Sequence, residues 1–229
     1  MKVVPIIPAL NPDDRLINLV LELIENKFKK IIIVNDGSEN NDIFSELEKN
    51  DECIVLTHDY NKGKGCALKT AFSYYKENLI DDYVGVVTMD ADGQHKVEDV
   101  VKISNVLKDN NMFILGTRLF NTKETPTRNK FGNRLTSNVF KKLYGVSLKD
   151  TQTGLRGIPN HLIDLHLETH GEHFEYEINA LIDLVKSYEK IIQIDIETVY
   201  LDDSNKKSNF KMFNDSFKIY KILFSRRKK

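Results

Sequence analysis

The sequence predicts an α/β fold: a mostly parallel, doubly wound central sheet flanked by helices, in a single domain. Three observations carry that prediction. Short apolar runs alternate with amphipathic segments through the first half of the chain. Polar or glycine-bearing turns stand where the apolar runs stop. The β-α-β order repeats, and strands joined by helical crossovers pair in parallel.

The elements follow in order. Residues 3–7 form an apolar run that reads as a buried strand. Residues 13–26 open on Asp13 and carry apolar residues at 16, 17, 19, 20, 21, 23 and 24, which reads as a helical face. A second strand spans 30–34 and ends in the turn Asn35-Asp36-Gly37-Ser38, ahead of a helix over 41–49. Residues 53–57 make a third strand, and 65–76 a helix entered through glycines. A fourth strand, 83–89, runs into Asp90-Ala91-Asp92; a helix over 97–108 and a fifth strand over 112–116 follow. The second half breaks this rhythm. Residues 120–135 are polar and read as a loop leading into a helix over 130–144, and so long a loop is usually functional or disordered. A helix over 175–187, a strand over 191–200, a polar loop over 202–209 and a last helix over 210–224 complete the chain.

Bulk properties bound the function. A chain of 229 residues is long enough to bury a sizeable core. A net charge of −1 provides no global basic field, which argues against nucleic acid as partner. Cys53 and Cys66 are too few for a disulfide framework and read as reduced thiols, one on a strand and one at a helix start. No apolar run approaches the roughly 18 residues of a membrane span, and the start is too short and interrupted for a signal peptide. The expected location is cytoplasmic.

In an open α/β sheet, ligands sit at the carboxyl ends of the strands. The turn at 35–38, the Asp90-Ala91-Asp92 turn and the segment after Gly116 all fall there. Two carboxylates flanking one small residue can share a hard divalent cation, Mg²⁺ or Mn²⁺, with a diphosphate, and the cation would offset charge on the leaving group. An Asp-x-Asp by itself is also an ordinary solvated turn.

Its surroundings add weight. Val34-Asn35-Asp36-Gly37-Ser38, Asn61-Lys62-Gly63-Lys64-Gly65, Asp90-Ala91-Asp92-Gly93-Gln94-His95, Gly116-Thr117-Arg118, Arg128, Gly132-Asn133-Arg134, Asp150-Thr151-Gln152-Thr153-Gly154-Leu155-Arg156 and Phe174-Glu175-Tyr176-Glu177 occur in that order. Together they resemble the family 2 glycosyltransferases, and within them the branch of dolichol-phosphate mannose synthase and bacterial polyprenyl-phosphate glucosyltransferases.

The resemblance implies a GT-A (Rossmann-like) domain. Residues 1–118 would bind the nucleotide sugar and 119–205 the acceptor, with an amphipathic helix and basic tail over 210–229. It implies an inverting, metal-dependent transfer of a hexose from a UDP- or GDP-sugar to polyprenyl phosphate for cell-surface glycan synthesis. Pro8, Ala9 and Leu10 would line the nucleotide pocket, Asp36 would bond base or ribose, and Asn61, Gly63 and Lys64 would close over the nucleotide. Asp90, Ala91 and Asp92 would meet the donor, with Asp90, Asp92 and Gln94 on the metal. Arg118 and Arg134, with Arg128, Gln152 and Thr153, would hold the acceptor phosphate, for which guanidinium forks are suited. The base is left open. Asp150 either orients the acceptor or takes a proton, Glu175 and Glu177 are its rivals, and a phosphate acceptor is already an anion. At a helix start, Glu175 could equally complement the helix dipole. Arg156 is either a phosphate contact or a loop brace. Two departures stand out: Pro8-Ala9-Leu10-Asn11-Pro12 replaces the wider family's Thr-Tyr-Asn-Glu, and Asn35 stands where many relatives carry Asp.

The last helix sets Phe213, Phe217, Tyr220 and Phe224 on one face and continues into Arg226-Arg227-Lys228-Lys229. Such a helix suits an anionic membrane surface, a membrane-protein partner, or packing on the sheet. The expectation is a peripheral enzyme at the cytoplasmic face of the membrane, with the loop over 120–133 ordering across donor and acceptor. The alternatives are transfer to a hydroxyl of a capsular, teichoic or lipid-linked oligosaccharide, a nucleotidyltransferase, and a non-catalytic nucleotide-sugar-binding subunit.

Overall fold

The strands are β1 (Val4–Ala9), β2 (Ile31–Asn35), β3 (Cys53–Thr57), β4 (Gly85–Thr88), β5 (Phe113–Arg118), β6 (Arg156–Pro159) and β7 (Ile191–Ile196). They form one sheet in the order β3-β2-β1-β4-β6-β5-β7. A computed structural model describes residues 1–119, 127–197 and 212–227, the side chains of 127–131 and 212–217 excepted. Among these lie the helices α1 (Arg15–Glu25), α2 (Asp42–Leu47), α3 (Lys64–Asn78), α4 (Val97–Asn110), α5 (Thr127–Tyr144), α6 (Ile163–Glu168), α7 (Glu175–Lys186) and α8 (Met212–Ser225).

The apolar runs become central strands because helices cover both faces of the sheet. In β2, Ile32 and Val34 join one core cluster while Ile31 and Ile33 join the other, as strand alternation dictates. The first cluster packs the sheet against α3, α5, α6, α7 and α8. The second packs it against α1, α2 and α4.

One element departs from the mostly parallel reading. Strand β6 pairs antiparallel with both β4 and β5, as in Val86↔Ile158 and Ile114↔Gly157, and β7 then returns to parallel pairing with β5. The sheet is therefore mixed. Four residues holding Gly157 and Pro159 give no period-2 alternation, so nothing local marks Arg156–Pro159 as a strand. Its direction matters, because it feeds residues 150–155 into the edge where the parallel strands end.

Boundaries shift elsewhere. Helix α5 begins at Thr127, three residues before the expected start. The rest of the expected loop, 120–126, lies outside the described residues, as do 198–200 of the expected last strand and the loop over 202–209. Both cysteines are free thiols.

Helix α8 packs on the domain. Ile219 and Leu223 are buried, and the Tyr144 hydroxyl donates to the Leu223 carbonyl at 2.9 Å. Its described apolar side chains thus point mainly into the core, with Phe224 exposed, while Phe213 and Phe217 lie outside the described side chains. Among the described residues, no helix is long and apolar enough to cross a membrane.

The core also holds a histidine. His166 lies between Phe72 and Phe113, with ring centroids 5.6 and 5.9 Å away. Its Nδ1 bonds the Leu162 carbonyl, and Nε2 has no partner among the described residues. Burial pushes its pKa down to about 4 from 6.5. Below pH 6.5 the unfolded chain therefore takes up a proton that the fold refuses. Stability attributable to His166 should fall between pH 6.5 and 4, by on the order of 3 kcal/mol in total, and level off below that. Urea unfolding across that range checks this: His166→Phe should remove the slope, and an unchanged slope would assign it to other groups.

Candidate active site

The carboxyl ends of β1, β2, β3, β4, β5 and β7 share one edge of the sheet, and the start of the antiparallel β6 joins them. Asp90 and Asp92 leave β4 at that edge. Asp90 is held from several sides: Lys64 Nζ donates to Oδ1 at 2.6 Å, and His95 Nε2 lies 3.3 Å from Oδ2. A side chain at Gly154 would put Cβ 2.6 Å from Oδ2, so only glycine allows this approach. Burial works to raise the Asp90 carboxyl, but Lys64 and His95 outweigh it and hold it well below the usual carboxylate range.

Lys64 also reaches Glu177 Oε1 on α7 at 2.9 Å, so one ammonium joins α3, the Asp90 turn and α7. Burial opposes its charge, yet the two carboxylates raise its pKa above the ordinary value. Two glycines bring the helices this close. At Gly63, with φ of +98°, a Cβ would strike the His173 ring, and at Gly65 it would strike Tyr176. Lys64→Met should leave two carboxylates facing each other with little compensation and cost about 3 kcal/mol of stability. For a chain of this length that is a fall of roughly 6–12 °C in Tm. A shift under about 2 °C would show that the bridge behaves like a surface pair.

Asp92 is the less engaged member of the pair. Its Oδ1 accepts from the Gln94 backbone N–H at 3.0 Å. Burial and the neighbouring Asp90 charge push its carboxyl upward. Ala91 and the Gln94 side chain are half-buried beside it.

Asp36 is engaged within the protein. Its Oδ1 accepts from the Lys62 N–H at 2.9 Å and sits 2.7 Å from His58 Nδ1; its Oδ2 accepts from the Gly63 N–H at 2.8 Å. Buried at 3 % exposure, it shapes the 61–63 loop that the sequence reading placed over the nucleotide. His58, backed by Thr70 Oγ1 at 2.9 Å, was not anticipated, since a lone histidine after a strand carries no pattern. Asn35 is likewise buried and bonds Asn41 and the Ser38 N–H. Pro8, Ala9 and Leu10 line the neighbouring end of β1, with Pro8 and Leu10 half-buried, and Asn61 is exposed.

The acceptor-side residues assemble around Asp150, which has no solvent exposure. Arg118 Nε donates to its Oδ2 at 2.6 Å and Nη2 to its Oδ1 at 3.0 Å, a bidentate pair. The Gln152 N–H adds a bond at 2.9 Å. Asn133 bonds the Lys149 carbonyl and the Thr151 N–H, fastening α5 to the same loop. Arg134 follows on α5, exposed and in no ion pair among the described residues. Thr153 is buried and accepts from the Leu155 N–H. Arg156 settles as a loop brace: it is 3 % exposed and donates to the Thr153 and Glu177 carbonyls. Glu175 accepts from the Glu172 and His173 N–H groups of its own turn. Burial works to raise its carboxyl, but these backbone bonds win and lower it. The side chain of Arg128 lies outside the described residues.

The family 2 glycosyl transferase model matches residues 6–183, a span that contains nearly all of this edge. The chain belongs to glycosyltransferase family 2. A UDP-N-acetylglucosamine–dolichyl-phosphate N-acetylglucosaminyltransferase of Methanococcus voltae is 32 % identical over 95 % of this chain and 93 % of its own. The glycosyltransferase AglJ of Haloferax volcanii is 22 % identical over 96 % of this chain and 70 % of its own. Among solved structures, glucosyl-3-phosphoglycerate synthase from Mycobacterium tuberculosis, in complex with Mn²⁺, UDP and phosphoglyceric acid, superposes with a TM-score of 0.73 at 16 % identity, covering 99 % of this chain and 78 % of that one. The likeness places the domain in the GT-A fold.

For this glycosyltransferase the donor set at the edge suits a hard divalent cation: two carboxylates and the Gln94 amide offer only oxygen ligands at the relevant atoms. No group of three His, Cys, Asp or Glu among the described residues forms a cage.

Proposed function

We propose that the enzyme moves a sugar, with inversion, from a nucleoside-diphosphate sugar to polyprenyl phosphate, residues 1–118 forming the donor half and 119–205 the acceptor half. One observation carries the choice of acceptor. Each carboxylate eligible as base is already engaged: Asp150 by Arg118, Glu175 by two backbone N–H groups, and Glu177 by Lys64. A phosphate acceptor is ionised at neutral pH and asks for no proton removal, whereas a hydroxyl acceptor needs a base.

In this mechanism Lys64 and Gly154 fix Asp90, and the 61–63 loop, held by Asp36, lies over the nucleotide. Asp90, Asp92 and Gln94 would hold Mg²⁺ or Mn²⁺. The cation, when bound, supplies charge neutralisation for the departing diphosphate. Arg118, aligned by Asp150, and Arg134 hold the acceptor phosphate with one oxygen facing the anomeric carbon. That oxygen forms the new bond as the bond to the diphosphate breaks. On this reading the enzyme meets its lipid acceptor as a peripheral protein at the cytoplasmic face of the membrane.

The test is transfer to a short-chain polyprenyl phosphate with a panel of UDP- and GDP-sugars and either cation. The Methanococcus relative's name puts UDP-N-acetylglucosamine first in the panel. A lipid-phosphate sugar product is expected. Donor binding without transfer to any lipid phosphate would move the acceptor to a hydroxyl-bearing glycan.

A further inference from the structure

We propose that helices α5 and α8, packed side by side, present a docking face for an anionic lipid bilayer; the inference deepens the lipid-phosphate reading and rests on it. The whole chain carries 33 basic and 34 acidic residues, yet their distribution is uneven. Helix α5 holds Arg128, Lys130, Arg134, Lys141 and Lys142 and no acidic residue over Thr127–Tyr144.

The packing decides which way these charges face. Phe140 on α5 and Ile219 and Leu223 on α8 are buried in the core. Thr136 meets the Tyr220 hydroxyl at 3.4 Å, and Tyr144 bonds the Leu223 carbonyl. The opposite stripes are exposed: Arg134, Leu135, Asn138, Lys141 and Lys142 on α5, and Lys221 and Phe224 on α8. Leu135 and Phe224 are 43 % and 58 % exposed, which sets apolar side chains among cations, the composition that suits a headgroup boundary. The binding surface is therefore the outer basic face of two helices, with Ile219 and Leu223 of α8 spent on the fold.

The face starts at the acceptor site. Asn133 fastens α5 to the loop around Asp150, and Arg134 is the next residue. From there the stripe runs to Lys142, roughly 12 Å along the helix at about 1.5 Å per residue. A lipid whose phosphate lies at Arg118 and Arg134 would thus have its bilayer beside the same helix. An anionic bilayer fits by charge, each basic residue near its surface strengthening binding about fivefold.

The experiment is sedimentation of the full chain with phosphatidylcholine vesicles, with and without phosphatidylglycerol, across salt concentrations. Binding should need phosphatidylglycerol and weaken with salt. The triple variant K141Q/K142Q/K221Q should bind on the order of a hundredfold more weakly. The control K29Q/K30Q/K108Q, which removes equal charge from the opposite edge of the sheet, should lose less than about tenfold. Transfer to a water-soluble short-chain acceptor should survive the first triple. Equal loss in both triples, equal binding to neutral vesicles, or self-association through α5 and α8 without vesicle binding would overturn the docking face. Loss of short-chain transfer in the first triple would also overturn it, by making the lysines part of the acceptor site. Vesicle binding as expected from a chain inactive on every lipid phosphate would sink the acceptor reading alone.

Discussion

Replacing Asp92 by asparagine is expected to lower sugar transfer by on the order of 10³-fold, with the fold unchanged. The reason lies in how the two carboxylates at the end of β4 are used. Asp90 is already paired with Lys64 and bonded by His95, so its ionised form is stabilised within the protein. Asp92 forms no ion pair among the described residues, and burial and Asp90 disfavour its charge more than the Gln94 N–H, His95 and Lys64 support it. A carboxylate left in that state is stabilised by an incoming cation, and asparagine cannot replace the charge. Two readouts separate this from general damage. Metal-dependent binding of nucleoside diphosphate, followed by calorimetry, should fall with activity, while the urea midpoint stays within error of the parent. Activity within tenfold of the parent would mean that Asp92 is an ordinary turn residue.

The second large effect is expected at Asp150. Asp150→Asn should lower kcat/KM by about a hundredfold, mostly through a higher KM for the lipid phosphate. The carboxylate is fully buried and bidentate with Arg118, so under the proposed mechanism it acts as a positioning residue that sets the guanidinium plane. A general base would behave otherwise, with kcat falling and the acidic limb of the pH profile vanishing. The double variant with Arg118→Ala distinguishes the two. If Asp150 acts through Arg118, the double variant should be no worse than Arg118→Ala alone. Additive losses, with kcat carrying the effect of Asp150, would restore it as a base. Because the asparagine also unpairs a part-buried arginine, a stability loss of about 3 kcal/mol is expected alongside, and kinetics belong well below the unfolding range.

Residues that act through local chemistry were legible. The apolar runs of β1, β2, β4 and β5 announced themselves because strands buried on both faces must be apolar throughout. Asp90 and Asp92 stood out because two carboxylates flanking one small residue after an apolar strand suit a hard cation, and Lys64, Arg118 and Arg134 because the motifs that hold them resemble those of family 2 glycosyltransferases. Strand β6 was hidden, since four residues with a glycine and a proline are held by their neighbours rather than by their own pattern.

Side-chain partnership was hidden for the same reason. Glu177 lies 113 positions from Lys64, and Asp150 lies 32 from Arg118. Nothing in either sequence neighbourhood says that these charges meet. The sequence by itself determined which residues could do chemistry at the carboxyl edge of the sheet. The tertiary structure alone decided which of them are engaged: it assigned Asp36 to a loop, Arg156 to a brace, Asp150 to an arginine, and Ile219 and Leu223 of α8 to the core. Partnership is a matter of distance and burial, and the chain sets both only when it folds.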